Sequence, residues 1–473
     1  MNPGRTLLVV ALGAFVTTLD NTIVAAGVPS IGHDLSLDLA TLQWVSIGYM
    51  LPFAGLLLVA GTLVDRWGQR GTLGGGLVAF GLGAVAGGFA TTGALLIAAR
   101  VVQGLAAAFL VPALLSLLRT NLDSRQRAVG ATLWTACLAV ALALGPTLGG
   151  LLSEYLGWSW IFFSNVPFVL VMLVLLPATA GTGRVRDARR PALGAMVLVT
   201  AGLVLVAAAM VGLGDDARLA EAAPLLGGLA LIAWFAVRER RAREPLVPRD
   251  LVRERVFTGA LAVQLLWGLG VSGIFFFTPL LHQDSLGLSP VGAGLPLVLV
   301  AVAIMAVTPA VPRIMARLGP HRTVCAGLLV VALGLLAVAV INHIPEVPPR
   351  IPGLLLIGAG SALTTPLTSY FLEIIDERHA GTASGLLTAS RELSSAMGVA
   401  LIGAVLTAVR AARLDEGALG GPALATGYTA GLIVAAALEI AGAVLALWVF
   451  RAPARKVLPV VTTESAGSSS RGE

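Results

Sequence analysis

From Thr6 onward the chain is a succession of apolar runs about as long as a bilayer is thick. A backbone in hydrocarbon has no water to bond, so each such run must satisfy its own N–H and C=O groups as a helix of roughly 20 residues. Fourteen runs of this kind begin near Thr6, Thr41, Gly71, Gly93, Ala128, Ser159, Ala192, Ala222, Val256, Ser289, Thr323, Ile351, Thr382 and Tyr428. Only 12% of residues are charged and 57% are hydrophobic, against about 25% charged in a soluble domain. The expected class is therefore an all-α polytopic membrane protein. Arg5, the first apolar run and the small residues Ala25 to Gly27 imitate a secretion signal. The run is too long for one and contains Asp20, so it reads as a retained first helix.

The charges between the runs set an orientation. Counting from an inside N-terminus, the inside segments hold most of the 31 basic residues, while the outside loops hold only Arg218, Arg350, Arg410 and Arg413. This bias places both termini in the cytoplasm. It also accounts for the net charge of +6 without nucleic acid. Lys456 is the only lysine, a usage typical of a high-GC bacterial genome. Two basic stretches, GRVRDARRP and RERRAREPLVPRDLVRER, set off the seventh and eighth runs between two groups of six. DRWGQR after the second run and ARLGPHR after the tenth echo one another. A 6+2+6 layout with repeated halves suits a transporter. The expected divisions are a first bundle at 1–180, two added helices and basic loops at 181–255, a second bundle at 256–450, and a disordered cytoplasmic tail at 451–473.

Asp20, Arg100, Arg391, Glu392 and Glu439 fall inside apolar runs. Each costs about 2.5–3.5 kcal/mol at a helix centre, so each is a candidate functional residue. Asp20 shares a helical stripe with Gly13, Thr17 and Gly27, and Arg100 shares one with Gly93, Gln103, Gly104 and Ala107. Small and polar stripes pack against other helices rather than lipid. At 1.5 Å per residue Asp20 lies about 21 Å from the start of its run, leaving about 9 Å to the far boundary. Arg100 is about 10 Å from that same boundary. The two can pair, either as a proton-coupling site or as a structural ion pair. Burial favours the neutral acid and a neighbouring arginine favours the anion, so a proton and a cationic substrate would compete for Asp20. Arg391 is on a polar stripe with Ser384, Thr388 and Ser395, as a pore-lining or a structural cation. Glu392 reads first as an ion pair to another helix, and Glu439, on an apolar face, as packing or protonated burial.

Trp44, Trp158, Trp160, Trp234 and Trp448 fit an interfacial belt. Trp267, deeper in its run and followed by Phe275 to Phe277, either lines a cavity for a planar or cationic ligand or packs in the core. Tyr49, Gln264 and Gln103 are further candidate cavity contacts. Cys137 and Cys325 sit in apolar runs, with no metal spacing. There is no GxxxxGK[ST] loop, so the energy source is an ion gradient or the solute itself, with no cofactor. No loop is long enough for a sensory domain and no catalytic constellation is visible, which disfavours a receptor or an enzyme.

Four short motifs carry a resemblance. GTLVDRWGQR has Gly61, Asp65, Arg66, Gly68 and Arg70; RVVQGLAAA has Arg100, Gln103 and Gly104; GPTLGG has Gly145, Pro146, Gly149 and Gly150; and LDNTIV has Asp20 and Thr22. In these runs and this order the chain resembles the major facilitator superfamily, in particular its fourteen-span drug:proton antiporters. LHQDSLGLSPVGAG is similar to that group's segment between spans 9 and 10. The resemblance implies Asp20 and Arg100 in proton coupling and a cytoplasmic charge latch at the first motif. It makes the GPTLGG element, with its proline bend and small residues, a mark of exporters that limits leakage. The chain departs at Ala25 and Ala141, where the family carries Asn and Gly, at Ser159 in place of an arginine, and in ARLGPHR, which lacks the acidic residue. The implied activity is proton-coupled efflux of drugs, antibiotics or a secreted metabolite across a bacterial cell membrane. The implied partners are an amphipathic or cationic small molecule and membrane lipids, for a monomer. A nutrient or amino-acid symporter on the same fold is the alternative, and GPTLGG argues against it.

Overall fold

In a computed structural model of the chain the described residues are 3–120, 122–178, 192–212, 222–242, 245–365, 367 and 380–449. The basic loop at 183–191, Arg218, Arg378 and the tail at 451–473 lie outside them. The first helices are α1 (Pro3–Leu35), α2 (Leu39–Trp67), α3 (Gln69–Gly88), α4 (Gly93–Thr120), α5 (Ser124–Tyr155), α6 (Ser159–Phe163) and α7 (Asn165–Leu175). Then follow α8 (Leu193–Gly212), α9 (Ala222–Arg241), α10 (Arg249–Arg253), α11 (Arg255–Asp284) and α12 (Pro290–Val307). The last are α13 (Val311–Leu318), α14 (Pro320–Ile341), α15 (Ile351–Leu363), α16 (Ala380–Asp415) and α17 (Gly420–Val449).

Local chemistry starts and stops these helices. The Asp38 side chain accepts from Thr41 N–H at 2.9 Å to cap α2, and Asp123 with Gln126 forms a reciprocal capping box at α5. Ser289 caps α12, with Pro290 in the first turn. Arg350, expected in an outside loop, is buried. Its guanidinium donates to the carbonyls of Asn342, Ile344 and Glu346 at 3.0, 3.0 and 2.7 Å, tying together the turn that follows α14. The two echoed sequences share a geometry. Gly68 (φ 89°) separates α2 from α3, and Gly319 (φ 79°) separates α13 from α14. A side chain at either would be strained.

Among the described residues, 12 helices are long and apolar enough to cross a membrane. Two of the fourteen expected runs fall short of that length. The run from Ser159 breaks at Ser164 into α6 and α7, and α15 ends at Leu363 after 13 residues. Two expected boundaries are corrected. α17 begins at Gly420, not near Tyr428, because Pro422 falls in the first turn, where its missing N–H has no helical acceptor. Arg410 and Arg413 lie on the end of α16 rather than in a loop.

α1 packs along α5, α2 along α4, and α3 along α4 and α7. A second group joins α14 to α15 and α17, and α11 to α16 and α17. The groups meet where α5 touches α12 and α2 touches α16. α8 leans on both α2 and α16, and α9 packs on α8, so this pair covers that seam from outside. Among the described residues, three hydrogen-bond contacts cross between the groups at one end, where α1, α5 and α11 finish. His33 Nε2 lies 3.3 Å from Asp284 Oδ1, Gln283 Nε2 donates to Ala26 O at 3.5 Å, and Val291 N–H donates to Glu154 Oε2 at 3.1 Å.

Candidate functional site

The small stripe on α1 brings neighbouring helices close to Asp20. Gly13 lies against Leu114 of α4 and Gly27 against Ile161 of α6. On α4, Gly104 faces the Tyr49 backbone of α2. A Cβ there would stand 2.9 Å from the Tyr49 carbonyl carbon and would overlap its oxygen. This close approach drops the Tyr49 ring onto α4 and seals a polar cluster between α1, α2, α4 and α7.

Asp20 and Arg100 are both fully buried and form an ion pair, Arg100 Nη1 to Asp20 Oδ2, at 2.5 Å. Gln103 Nε2 donates to Asp20 Oδ1 at 3.0 Å, while Gln103 Oε1 accepts from Arg100 Nη1 at 3.0 Å. Asn165 Nδ2 donates to Asp20 Oδ1 at 2.8 Å. Arg100 Nε donates to Val45 O at 3.1 Å, and the guanidinium carbon lies 4.4 Å from the Tyr49 ring centre. Tyr49 OH reaches Thr17 O at 3.4 Å. Two buried groups lack a partner, Arg100 Nη2 and Asn165 Oδ1. The carboxylate is thus held by three donors, and the network has slack to rearrange. Such a buried pair is weak evidence for stability.

Asn165 was not among the sequence candidates. Its signal was a lone amide in an apolar run, at the position where α6 gives way to α7. Gln103 and Tyr49, expected to line a cavity, are instead fully buried in this cluster. Ala25 is buried at 9% exposure, so the missing family Asn leaves an apolar contact.

The other candidates gather on the second group. The Arg391 guanidinium is exposed and sits 6.0 Å from the Trp267 ring centre. Trp267 is half-buried, its indole Nε1 buried without a partner, and Gln264 lies half-buried one turn earlier on α11. Phe276 and Phe277 pack in the core instead of lining a cavity. Glu392 Oε2 has no hydrogen-bond partner, so the expected ion pair to another helix is not what holds this oxygen. Glu439 is fully buried, and neither of its oxygens has a partner. Trp158, expected in the interfacial belt, packs inward. It is buried, and its indole N–H donates to Asp34 Oδ2 at 2.7 Å.

The GPTLGG element sits where three helices meet. Gly145 packs on Thr22 and Gly149 on Ile23 and Ala26 of α1, around Pro146 inside α5. Gly150 faces the other group: a Cβ there would stand 2.7 Å from Pro290 O. Gly294 of α12 lies as tightly against the Pro146 carbonyl, so this motif closes the seam between the groups. A cavity of about 540 Å3 opens along the other half of α5, lined by Ala131, Thr132, Thr135, Ala136 and Ala139. At the first motif, Asp65 and Arg66 are exposed, Arg70 is half-buried, and Gln69 Nε2 donates to Ser116 Oγ of α4 at 2.7 Å. Gly61 has open space where a Cβ would be, so it mediates no close helix approach in this arrangement.

Residues 10–399 match the sequence profile of the Major Facilitator Superfamily. The chain belongs to that superfamily. This transporter is similar to the puromycin resistance protein pur8 of Streptomyces alboniger, 32% identical over 450 residues covering 92% of this chain and 88% of that one. It is also similar to the tetracenomycin C resistance and export protein of Streptomyces glaucescens, 30% identical over 417 residues, 85% of this chain and 76% of that one. A crystal structure of a D-xylose-proton symporter has the same fold at a TM-score of 0.65 and 14% identity, covering 96% of this chain and 98% of that one. The transporter is therefore a multi-pass membrane protein and not an enzyme, and its named relatives act in antibiotic resistance and export.

Proposed function

We propose that this transporter is a proton-coupled exporter of antibiotics, drugs or a secreted small metabolite, working by alternating access. The observation that carries the reading is the Asp20–Arg100 pair, buried at the centre of the first helix group and enclosed by Gln103, Asn165 and Tyr49. A buried carboxylate whose counter-ion can be drawn away is a proton carrier: it binds a proton when the arginine withdraws and releases it when the pair reforms. The resistance and export named for its relatives supports efflux as the direction.

In this reading the fourteen runs cross the membrane as 6+2+6, the bundles at 1–180 and 256–450 rocking about the seam, with 181–255 between them and 451–473 as a cytoplasmic tail. Both termini are cytoplasmic, in a bacterial cell membrane. The closed end at His33, Glu154 and Asp284 then faces outside, and Asp65, Arg66 and Arg70 latch the inside when it closes. Gly145, Pro146, Gly149 and Gly150 hold the outer seam shut against leakage. Arg391, Trp267 and Gln264 face the path of a small amphipathic or cationic substrate. The proton gradient supplies the energy without a cofactor, and the functional unit is a monomer.

Expression in an efflux-deficient host tests this. Cells carrying the chain accumulate less of one or more members of a dye and antibiotic panel, and a protonophore abolishes the difference. Export that continues unchanged once the proton gradient has collapsed refutes the coupling.

A further inference from the structure

The closed end of the seam holds a recess of about 700 Å3 whose walls come from both groups. Ser30 and Asp34 of α1, Ser153 of α5 and Trp160 of α6 line one side, and Gln283 of α11 and Pro290 of α12 line the other. Its volume is that of a site for a drug-sized ligand, about 300–1,000 Å3. None of these residues belongs to the Asp20–Arg100 cluster or to the proposed substrate path.

Electrostatics gives the recess a sign. α1, α5 and α11 all finish at this end, so three helix C-termini bring partial negative charge to it. A cation is the stabilising side chain in such a last turn, yet Asp34, Glu154 and Asp284 stand there. Glu154 is engaged by the first turn of α12 through Val291 N–H, and Asp284 faces His33. Asp34 is different. Its Oδ2 accepts from the neutral Trp158 indole at 2.7 Å, and among the described residues no cationic side chain pairs with it. The bond to Trp158 fixes the carboxylate and leaves Oδ1 for a ligand.

Trp160 supplies the second element. It is 48% exposed and packs against Phe163 at 81°, ring centres 5.8 Å apart, so the indole is braced and still open to the recess. A carboxylate beside an open indole selects a flat cation: the charge pairs with Asp34 while the ring stacks on Trp160. The Ser30 hydroxyl and the Gln283 amide border the same space and suit polar substituents.

We propose that this recess is a ligand site of its own, for a planar aromatic cation, and that a ligand seated in it holds the seam closed. The ligand touches α1 and α6 on one side and α11 and α12 on the other, and opening this end pulls those walls apart. Its contacts exist in full only in the closed arrangement, so it favours that arrangement by the difference. Bound from outside, such a molecule inhibits transport without entering the substrate path. The sidedness rests on the proposed alternating-access cycle and its orientation; the recess does not.

Propidium, a planar ring dication with two exocyclic amines, is the probe. Its fluorescence anisotropy is titrated with the full chain in phosphatidylcholine nanodiscs, which carry no net charge. Asp34→Asn and Trp160→Ala each weaken binding by about tenfold or more, whereas Asp34→Glu and Trp160→Phe retain it. Absence of binding by the wild type, equal affinity in Asp34→Asn and Trp160→Ala, or binding lost only in Trp267→Ala overturns the site. The closing effect is read as spin-label distances between Tyr155→Cys and Leu419→Cys, two exposed positions on opposite groups, in a Cys137→Ala, Cys325→Ala background. Both are at this end, since α5 finishes at Tyr155 and the start of α17 accepts from Ser285 Oγ through Gly421 O at 3.3 Å. Saturating propidium narrows the distribution to its shortest component, and Asp34→Asn abolishes the narrowing. A distribution that propidium leaves unchanged or widens overturns the closing role. Failure of the export reading shows separately, as absent or gradient-independent export from cells while propidium binding and its dependence on Asp34 persist.

Discussion

Replacing Asp20 by Asn keeps the shape of the side chain and removes its charge. Oδ1 accepts from Gln103 and Asn165 at 3.0 and 2.8 Å, and Oδ2 accepts from Arg100 at 2.5 Å. An asparagine has one acceptor oxygen and one amide, so whichever way it turns, an N–H group faces at least one of these donors. Arg100 is left fully buried with Gln103 Oε1, Val45 O and the Tyr49 ring as its remaining partners. Removing one member of a buried pair costs about 3–5 kcal/mol. The retained polar contacts put Asp20→Asn at about 3 kcal/mol, roughly a 150-fold shift at 1.4 kcal/mol per tenfold. Arg100→Gln costs less, because the abandoned carboxylate takes up a proton. The double variant leaves no orphan charge, so the pair shows an interaction energy of about 2 kcal/mol in a double-mutant cycle. Equilibrium unfolding of the purified variants in mixed micelles gives that energy, and gradient-driven export in proteoliposomes gives the coupling. Purely additive costs refute the pairing. Normal gradient-driven export by a well-inserted Asp20→Asn variant refutes the coupling role and reduces the pair to structure.

Two further outcomes follow from the same geometry. Asn165→Ala deletes a donor to a charged acceptor, worth about 1.5–3 kcal/mol, and slows gradient-driven export several-fold without loss of protein from the membrane. Equal export rates across a range of imposed pH gradients would remove Asn165 from the coupling cluster. Gly150→Val drives a side chain into Pro290 across the seam at about 1–3 kcal/mol of overpacking. It shifts the population toward open at that end, read as faster thiol labelling of a Ser30→Cys reporter on α1, in the recess that Pro290 also lines; unchanged labelling would mean that the seam is not held by this contact.

Much of the fold was legible because the membrane leaves a backbone few choices. Apolar run length alone located nearly every helix start, and the charge-bearing stripes of α1 and α4 were correctly read as buried. What escaped the reading was tertiary. Asn165 belongs to the cluster because α7 packs on α1 and α3, a relation no local period encodes. Gln103 and Tyr49 were legible as polar groups that need partners, but not as cluster members rather than cavity walls, since that depends on the close approach at Gly104. The start of α17 was missed because Gly420, Gly421 and Pro422 spell a turn by composition, although the same residues suit a helix N-terminus.

The two halves also divide their polar chemistry unequally, and the physical consequence is directional. In the first group each oxygen of Asp20 has a donor, so opening the seam gains that carboxylate nothing while the ion pair is formed. In the second group the Trp267 indole N–H and an oxygen of Glu392 are buried without partners, and water would satisfy both. Gln43 Oε1 of α2, against Gly403 of α16, is unpartnered as well, so entry of water at the α2–α16 seam is favoured from both groups. The glycine contacts of α5 with α12 lie at the other seam between the groups, where Gly150 and Gly294 allow backbone-to-backbone packing that excludes water. A transporter must open one path while sealing another. Here unsatisfied polar atoms draw water to one seam, and the absence of side chains keeps it from the other.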